Sequence, residues 1–324
     1  MELLAYTYSQ LSSHSVCHLT ALHYDLPEFI RCKFYVLGLH DNYLVASGHD
    51  NYILRIYRND WRSAQDAQFE LELLAFLGAE GAPVATPLAT KTGTLSFTID
   101  CPEGTRIAAL FHYAQGYAPG KQLTIEQSTE LGKAVANVHI KADGFETTLS
   151  RQILDIPYLL DDSIIAIEPF IDADARNYLN TLQTKLKNAL PSLPQKTGVY
   201  GICTGDVNPS NFHINDRKEI ALFDFDQCGY GYRAFEIGKF IASIHAIKKK
   251  HDISCAFIEG YQRVRPLVND ELAAIPYYEL ISVIWVMAIH AYNADRIGHK
   301  YLEKPFWERR LANLKELDKL INVL

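Results

Sequence analysis

The chain has 324 residues, 48% of them apolar and 21% charged, with a formal net charge of −7. That is enough apolar material for a sizeable core and for more than one lobe. The negative balance argues against a general nucleic-acid binder, and no solenoid-period repeat, low-complexity tract or long single-sign run is present.

The opening MELLAYTYSQ lacks the basic and apolar regions of a secretion signal. KFYVLGL (Lys33 to Leu39), NYLVAS (Asn42 to Ser47) and YILRIY (Tyr52 to Tyr57) are aromatic and β-branched, and GHDN marks a turn before the third. They predict a β-meander. From Ser63, SAQDAQFELELLAFLGAEG sets Phe69, Leu73, Phe76 and Leu77 at helical spacing, with Ser63 as cap and Gly78 and Gly81 at the end. Pro83 and Pro87 bracket an extended link. TLSFTID (Thr94 to Asp100) and RIAALF (Arg106 to Phe111) predict two more strands.

HYAQGYAPGK, with Gly116, Pro119 and Gly120, reads as a linker between lobes. Beyond it the pattern turns helical. Thr124 and Gln127 have capping-box spacing, and Leu131, Val135 and Val138 share a face. A further helix fits Ala173 to Leu190. Short strands are expected near Phe212 to Ile214 and Ile220 to Phe225, joined by NDRK and followed by a Gly-rich turn, CGYGY. Helices then run to Leu324, the last lined by Leu311, Leu314, Leu317, Ile321 and Leu324. LISVIWVMAI (Leu280 to Ile289) falls short of the ~20 residues that span a bilayer, so it reads as a buried helix. The six cysteines form no CxxC pair and fit no zinc spacing. Reduced thiols in a cytoplasmic protein are expected, with Cys203 and Cys228 as small buried fillers.

The chemistry concentrates in TGDVNPSNFHINDRKEIALFDFDQCG, Thr204 to Gly229, which carries Asp206, Asn211, Asp224 and Asp226. Asp206 and Asn211 have the D-x-x-x-x-N separation of a kinase catalytic loop. In that template the aspartate orients the attacking hydroxyl and the asparagine oxygen helps hold Mg²⁺. Asp224, at the end of the next strand, is placed like the template's metal aspartate. The competing reading is two ordinary turns, since Asp and Asn are common turn formers.

The whole stretch resembles the aminoglycoside phosphotransferase and choline kinase-like superfamily, which includes type II homoserine kinases and is similar in fold to protein kinases. TGDVNPSN is similar to the family's loop HGDxHxxN, and LFDFDQCGYG to its IDFxxxxxG. YILRIYR resembles the strand with the phosphate-contacting cation, and FELELLAFLGAEGAPVATP the helix and link that follow. The resemblance runs from about Phe34 to Gly238. It implies an α+β, protein-kinase-like two-lobe fold. A β-rich nucleotide-binding lobe with one main helix would span 1–112, and a larger, mostly helical catalytic and acceptor-binding lobe 113–324.

Residue by residue, the resemblance implies Asp206 as catalytic aspartate and Asn211 and Asp224 as Mg²⁺ ligands. Arg55 takes the phosphate-binding position, and Glu70 is its ion-pair partner, with Glu72 as the alternative. Asn42 lies near the phosphates, and backbone groups of His112 and Ala114 meet the adenine edge. Glu236 braces the catalytic loop or, in the plainer reading, pairs with Arg233 or Lys239 on the surface. Three positions depart from the pattern: Thr204 and Asn208 replace loop histidines, and Arg55 replaces a commoner lysine. No GxGxxG loop lies near Gly38, which favours a small-molecule kinase over a protein kinase. The expected activity is transfer of the terminal phosphoryl group of ATP or GTP to a hydroxyl of a small metabolite or amino alcohol, with no nucleic-acid or membrane partner. A protein Ser/Thr kinase and a nucleotide-binding pseudokinase are the alternatives. Trp285, His290, Tyr292, Asp295 and Trp307 offer aromatic and acidic groups for a cationic acceptor, or else a plain helix core.

Overall fold

The computed structural model describes residues 5–27 and 30–321. In chain order it opens with α1 (Ser13–His23), β1 (Ile30–Leu37), β2 (Asp41–Ser47), β3 (Asp50–Ile56), α2 (Ala64–Ala79), β4 (Phe97–Cys101) and β5 (Gly104–His112). There follow α3 (Ile125–Ala142), β6 (Ile153–Leu154), α4 (Asp162–Ile167), α5 (Ala173–Ala189), β7 (Tyr200–Cys203), β8 (Phe212–Ile214), β9 (Ile220–Leu222) and β10 (Gly229–Tyr232). The chain closes with α6 (Arg233–Ser243), α7 (Lys250–Gln262), α8 (Asn269–Tyr292), α9 (Ala294–Ile297) and α10 (Lys304–Ile321). Contacts divide it into two compact units. The first takes in the chain up to Tyr117 together with Gly144–Arg151 and Phe212–Asp226, and the second Ala118–Asp143, Gln152–Asn211 and the chain from Gln227 onward.

In the first unit, five antiparallel strands lie in the order β1-β2-β3-β5-β4. The alternation of β2 and β3 sends Tyr43, Val45, Leu54 and Ile56 to one face, where they pack with Leu110 and with Val16 of α1. The helix α2 starts at a capping box in which Ser63 and Asp66 bond reciprocally, and it buries Phe69, Leu73 and Leu77. The β8–β9 hairpin belongs to this unit. Its Leu222 amide donates to the Pro83 carbonyl at 2.8 Å, and its carbonyl accepts from Ala85 at 2.8 Å. Those two bonds use the extended link between the prolines.

In the second unit, β10 is the middle strand of a three-stranded sheet, parallel to β6 and antiparallel to β7. Its sequence, GYGY, reads locally as a turn. The glycines serve instead a close approach: a Cβ on Gly229 would lie 2.3 Å from the Gln152 carbonyl oxygen. The helix α8 is apolar along most of its length and, by length and composition, long enough to cross a membrane. Here Leu280, Ile281, Ile284, Trp285 and Met287 are buried within the unit, among α4, α6 and α10. Leu311, Leu314 and Leu317 are buried on α10, while Leu324 lies outside the described residues. Cys203 and Cys228 are buried, and all six cysteines are free thiols.

Five elements, α1, β6, β7, β9 and β10, depart from the sequence reading. The helix α1 had no prediction, because only Val16 and Thr20 of it are buried and its apolar period is weak. The short strands β6 and β7 were not read, and β10 was taken for a turn. Finally, β9 stops at Leu222, two residues before Asp224.

The helices α3 and α7 meet through reciprocal glycines. A Cβ on Gly132 would stand 2.1 Å from the Phe257 carbonyl oxygen, and one on Gly260 2.0 Å from that of Thr129. Neither backbone can yield without parting the helices. Gly260→Ala is therefore expected to destabilise the protein by about 1–3 kcal/mol, the usual cost of overpacking. Urea unfolding checks this, and an unchanged midpoint would refute the close contact.

Candidate active site

In the first unit the site is built around Arg55, on the face of β3 opposite Leu54 and Ile56. Its guanidinium is a fork. Nη1 donates to Glu70 Oε1 at 2.9 Å, Nη2 to Asp224 Oδ1 at 3.0 Å and Nε to Asn42 Oδ1 at 3.4 Å. Glu70 Oε2 accepts from the Tyr57 hydroxyl at 2.9 Å. Glu72 instead accepts from Gln68, one turn back on α2, so the partner of Arg55 is Glu70. Arg55 and Glu70 are both buried. Burial works against the Arg55 charge, but Asp224 and Glu70 outweigh it and hold the guanidinium above its ordinary range. Burial pushes the Glu70 carboxyl upward against the pull of Arg55.

Asp224 has a left-handed backbone, φ 65°, rare for a residue with a Cβ and a common accompaniment of functional turns. Its side chain is 41% exposed. Two residues on, Asp226 does the opposite. Its carboxylate is buried and receives His40 Nε2 at 2.8 Å, Trp61 Nε1 at 2.9 Å, and Arg62 Nε at 2.9 Å and Nη2 at 3.2 Å. Arg151 donates to its carbonyl. Burial alone would raise this carboxyl, but His40, Arg62 and Trp61 outweigh it and keep it well below the usual carboxylate range. The sequence reading placed Asp226 in the acidic cluster but gave it no role. Its donors are scattered from residue 40 to 151, and no local spacing links them.

Near the end of β5, the Tyr113 amide bonds the Asn51 carbonyl at 3.3 Å. Strand alternation therefore turns the His112 backbone groups to the opposite edge, where its amide donates to Thr86 O at 2.9 Å. The Ala114 carbonyl accepts from His213 Nδ1. Of the four backbone groups of His112 and Ala114, two thus have protein partners.

In the second unit, the loop after β7 carries Asp206 and Asn211. The Asn211 amide nitrogen donates to Asp206 Oδ2 at 2.9 Å and to its carbonyl oxygen at 3.0 Å. Asp206 Oδ1 is paired with Lys239 Nζ of α6. Glu236, also on α6, is fully buried rather than on the surface. It accepts the amides of Thr204 and Gly205, and His139 Nε2 lies at 3.3 Å. Arg233 pairs with Asp143. Burial pushes the Glu236 carboxyl up to about 7, against the pull of the Thr204 and Gly205 amides and Lys239. The Lys239 contact was missed, although one signal was available. In RAFEIGKFIAS, Glu236 and Lys239 are charges three apart in an apolar helix, hence on one face.

Each unit holds an oxygen donor suited to a hard cation. Asn211 turns its amide nitrogen to Asp206, which leaves the amide oxygen for another partner. Asp224 meets Arg55 through Oδ1. Both are hard oxygen donors of the kind Mg²⁺ takes. His139, Cys203 and Glu236 also lie within 4.8 Å of one another. There the Glu236 oxygens already hold two amides, and the charges of Arg233 and Arg265 act on both His139 and Cys203. His139 and Glu236 are part of a hydrogen-bonded brace, while the Cys203 thiol turns to the Tyr232 carbonyl at 3.6 Å. Of the aromatic residues considered for an acceptor, Trp285 and Trp307 are core: Trp285 packs edge-on against Phe235, and Trp307 donates to Leu302 O at 2.7 Å.

Comparison with known proteins adds an independent line. The model of the phosphotransferase enzyme family matches residues 35–267. An uncharacterized protein of Synechocystis sp. is 37% identical over 312 residues, covering 96% of this chain and 86% of that protein. A homoserine kinase of Paramagnetospirillum magneticum is 25% identical over 281 residues, 79% of each chain. Among solved structures, an amicoumacin kinase in complex with AMP-PNP, Ca²⁺ and Ami has a TM-score of 0.78 at 20% identity, covering 95% of this chain and 94% of its own.

The Asp226 cluster makes a prediction with a definite sign. Its folded-state carboxyl ionises well below the unfolded value of 3.8, so its stabilisation is present above that value and fades as pH falls through the folded-state one. Asp226→Asn should cost about 3 kcal/mol at neutral pH. The gap to wild type should narrow below pH 3.8. Denaturant titrations at several pH values measure both. A gap independent of pH would dismiss the ionised carboxylate as the source.

Proposed function

Because the chain belongs to the phosphotransferase enzyme family, we propose that it transfers the terminal phosphoryl group of ATP or GTP to a hydroxyl of a small metabolite, such as an amino alcohol or hydroxy amino acid. The reading is carried by the bond from Asn211 Nδ2 to Asp206 Oδ2, which couples the two loop residues at one spacing and gives each a separate task. Asp206 accepts the hydrogen of the acceptor hydroxyl and aims its oxygen at the terminal phosphorus. A new P–O bond forms there as the bond from phosphorus to the bridging oxygen breaks. The electron pair leaves with the nucleoside diphosphate, and the proton passes to Asp206 and on to solvent. Positioning and electrostatics supply the rate, since phosphoryl transfer leaves the protein little covalent work.

Asn211 Oδ1 and the Asp224 carboxylate are, each in its own unit, the hard oxygen donors this reading assigns to a divalent cation such as Mg²⁺. When bound, such an ion neutralises charge on the nucleotide phosphates. Arg55, anchored by Glu70 so that its fork cannot swing away, steadies the donor phosphates, and Asn42 fixes the same fork from its Nε side. The His112 carbonyl and the Ala114 amide take the nucleotide base. The relative named as a homoserine kinase motivates an acceptor that carries an amino group as well as the hydroxyl.

A labelled-ATP screen of the purified chain against amino alcohols, hydroxy amino acids, sugars and generic proteins tests the class of acceptor. Asp206→Ala should lower turnover by about 100-fold or more while thermal stabilisation by magnesium and ATP persists. Asn211→Ala and Asp224→Ala should instead raise the magnesium concentration needed for half-maximal stabilisation. Wild-type turnover in Asp206→Ala would end the assignment.

A further inference from the structure

We propose that Lys239 is a positioning residue for phosphoryl transfer: its ammonium, reaching out from inside α6, fixes the orientation of the Asp206 carboxylate. This rests on the reading of Asp206 given above. Lys239 and Glu236 stand three residues apart on one face of α6. Together they hold three consecutive loop residues: Glu236 takes the amides of Thr204 and Gly205, and Lys239 takes the side chain of Asp206.

The burial of the pair is lopsided. The Lys239 side chain is 4% exposed, while that of Asp206 is 31% exposed. A buried ammonium must keep its partner, because leaving it unpaired out of water is costly. Its stem is packed on a helix whose residues 233–242 are all buried, so it has no solvent-facing rotamer to escape to. The carboxylate is thus held from behind by Lys239 at Oδ1 and from the side by Asn211 at Oδ2, with its remaining exposed part turned outward. The loop TGDVNPSN itself contains no Lys, Arg or His. Asn208, which might have reached Asp206 from within it, spends its amide on the Asp206 carbonyl and the Ser210 amide. The charge that sets the aspartate is therefore supplied from α6 rather than from the loop.

A residue that only orients another should affect turnover and spare nucleotide binding. The probe is transfer of the labelled terminal phosphate of ATP to an acceptor accepted by the wild type, or to water. Lys239→Met is expected to lower kcat about 100-fold, the scale of a small misplacement of a reacting group, with the KM for ATP changed less than about threefold. Lys239→Arg should recover at least about tenfold of that loss, since it keeps the charge at a different reach. Methylammonium added to Lys239→Ala should restore part of the turnover, which a purely structural lysine would not permit. Wild-type kcat in folded Lys239→Met, or a loss confined to the KM for ATP, overturns the inference. Should Lys239→Met not fold, a folded Lys239→Ala protein with wild-type kcat, or with a loss that methylammonium does not relieve, overturns it too. A wild-type protein that transfers no label to any acceptor or to water overturns the phosphotransferase reading itself, and this inference with it.

Discussion

A carboxylate withdrawn from water has to fill its lone pairs with donors, and the site is shaped by three that do so. Glu70 takes Arg55 and the Tyr57 hydroxyl. Asp226 takes His40, Trp61 and both reaching nitrogens of Arg62. Glu236 takes two successive backbone amides of the loop that carries Asp206. In each case a neighbouring acid stays partly exposed. Glu70 holds the fork that meets Asp224, Asp226 anchors the chain two residues past Asp224, and Glu236 fixes the backbone just before Asp206. The acids that brace the backbone and those left partly exposed are thus different residues, separated by burial.

The partly exposed acids, Asp206 and Asp224, each meet a cation on one oxygen, Lys239 and Arg55 respectively. Lysine and arginine divide these roles by shape. The compact ammonium sits behind a single carboxylate, while the planar guanidinium spans Glu70, Asp224 and Asn42 at once. Arginine at position 55 is in this respect more than a charge-conserving exchange for lysine, because a single ammonium lacks the fixed fork that joins these three side chains.

Membership of the phosphotransferase enzyme family accounts for the arrangement of the loop and of the strand that carries Arg55. It leaves the acceptor open. The tryptophans that first suggested an aromatic acceptor site are consumed by the core around α8 and α10.

The sequence by itself determined the elements whose signals are local. Ser63 with Asp66 and Thr124 with Gln127 are capping pairs within one turn, and the alternation of β2 and β3 is a period of two. Both follow from short-range geometry. The separation of Asp206 from Asn211 is likewise fixed along the chain, and the bond between their side chains is local to one loop. Tertiary structure alone decided between Glu70 and Glu72, which differ only in which side of α2 faces Arg55. It turned GYGY from an apparent turn into a central strand, since a glycine's reason can be a backbone from 77 residues away. It also moved Glu236 and Lys239 from a plausible surface pair into a buried brace. In every such case the deciding partner is distant in sequence, and the free energy that selects it comes from desolvation and close packing, which no local pattern encodes.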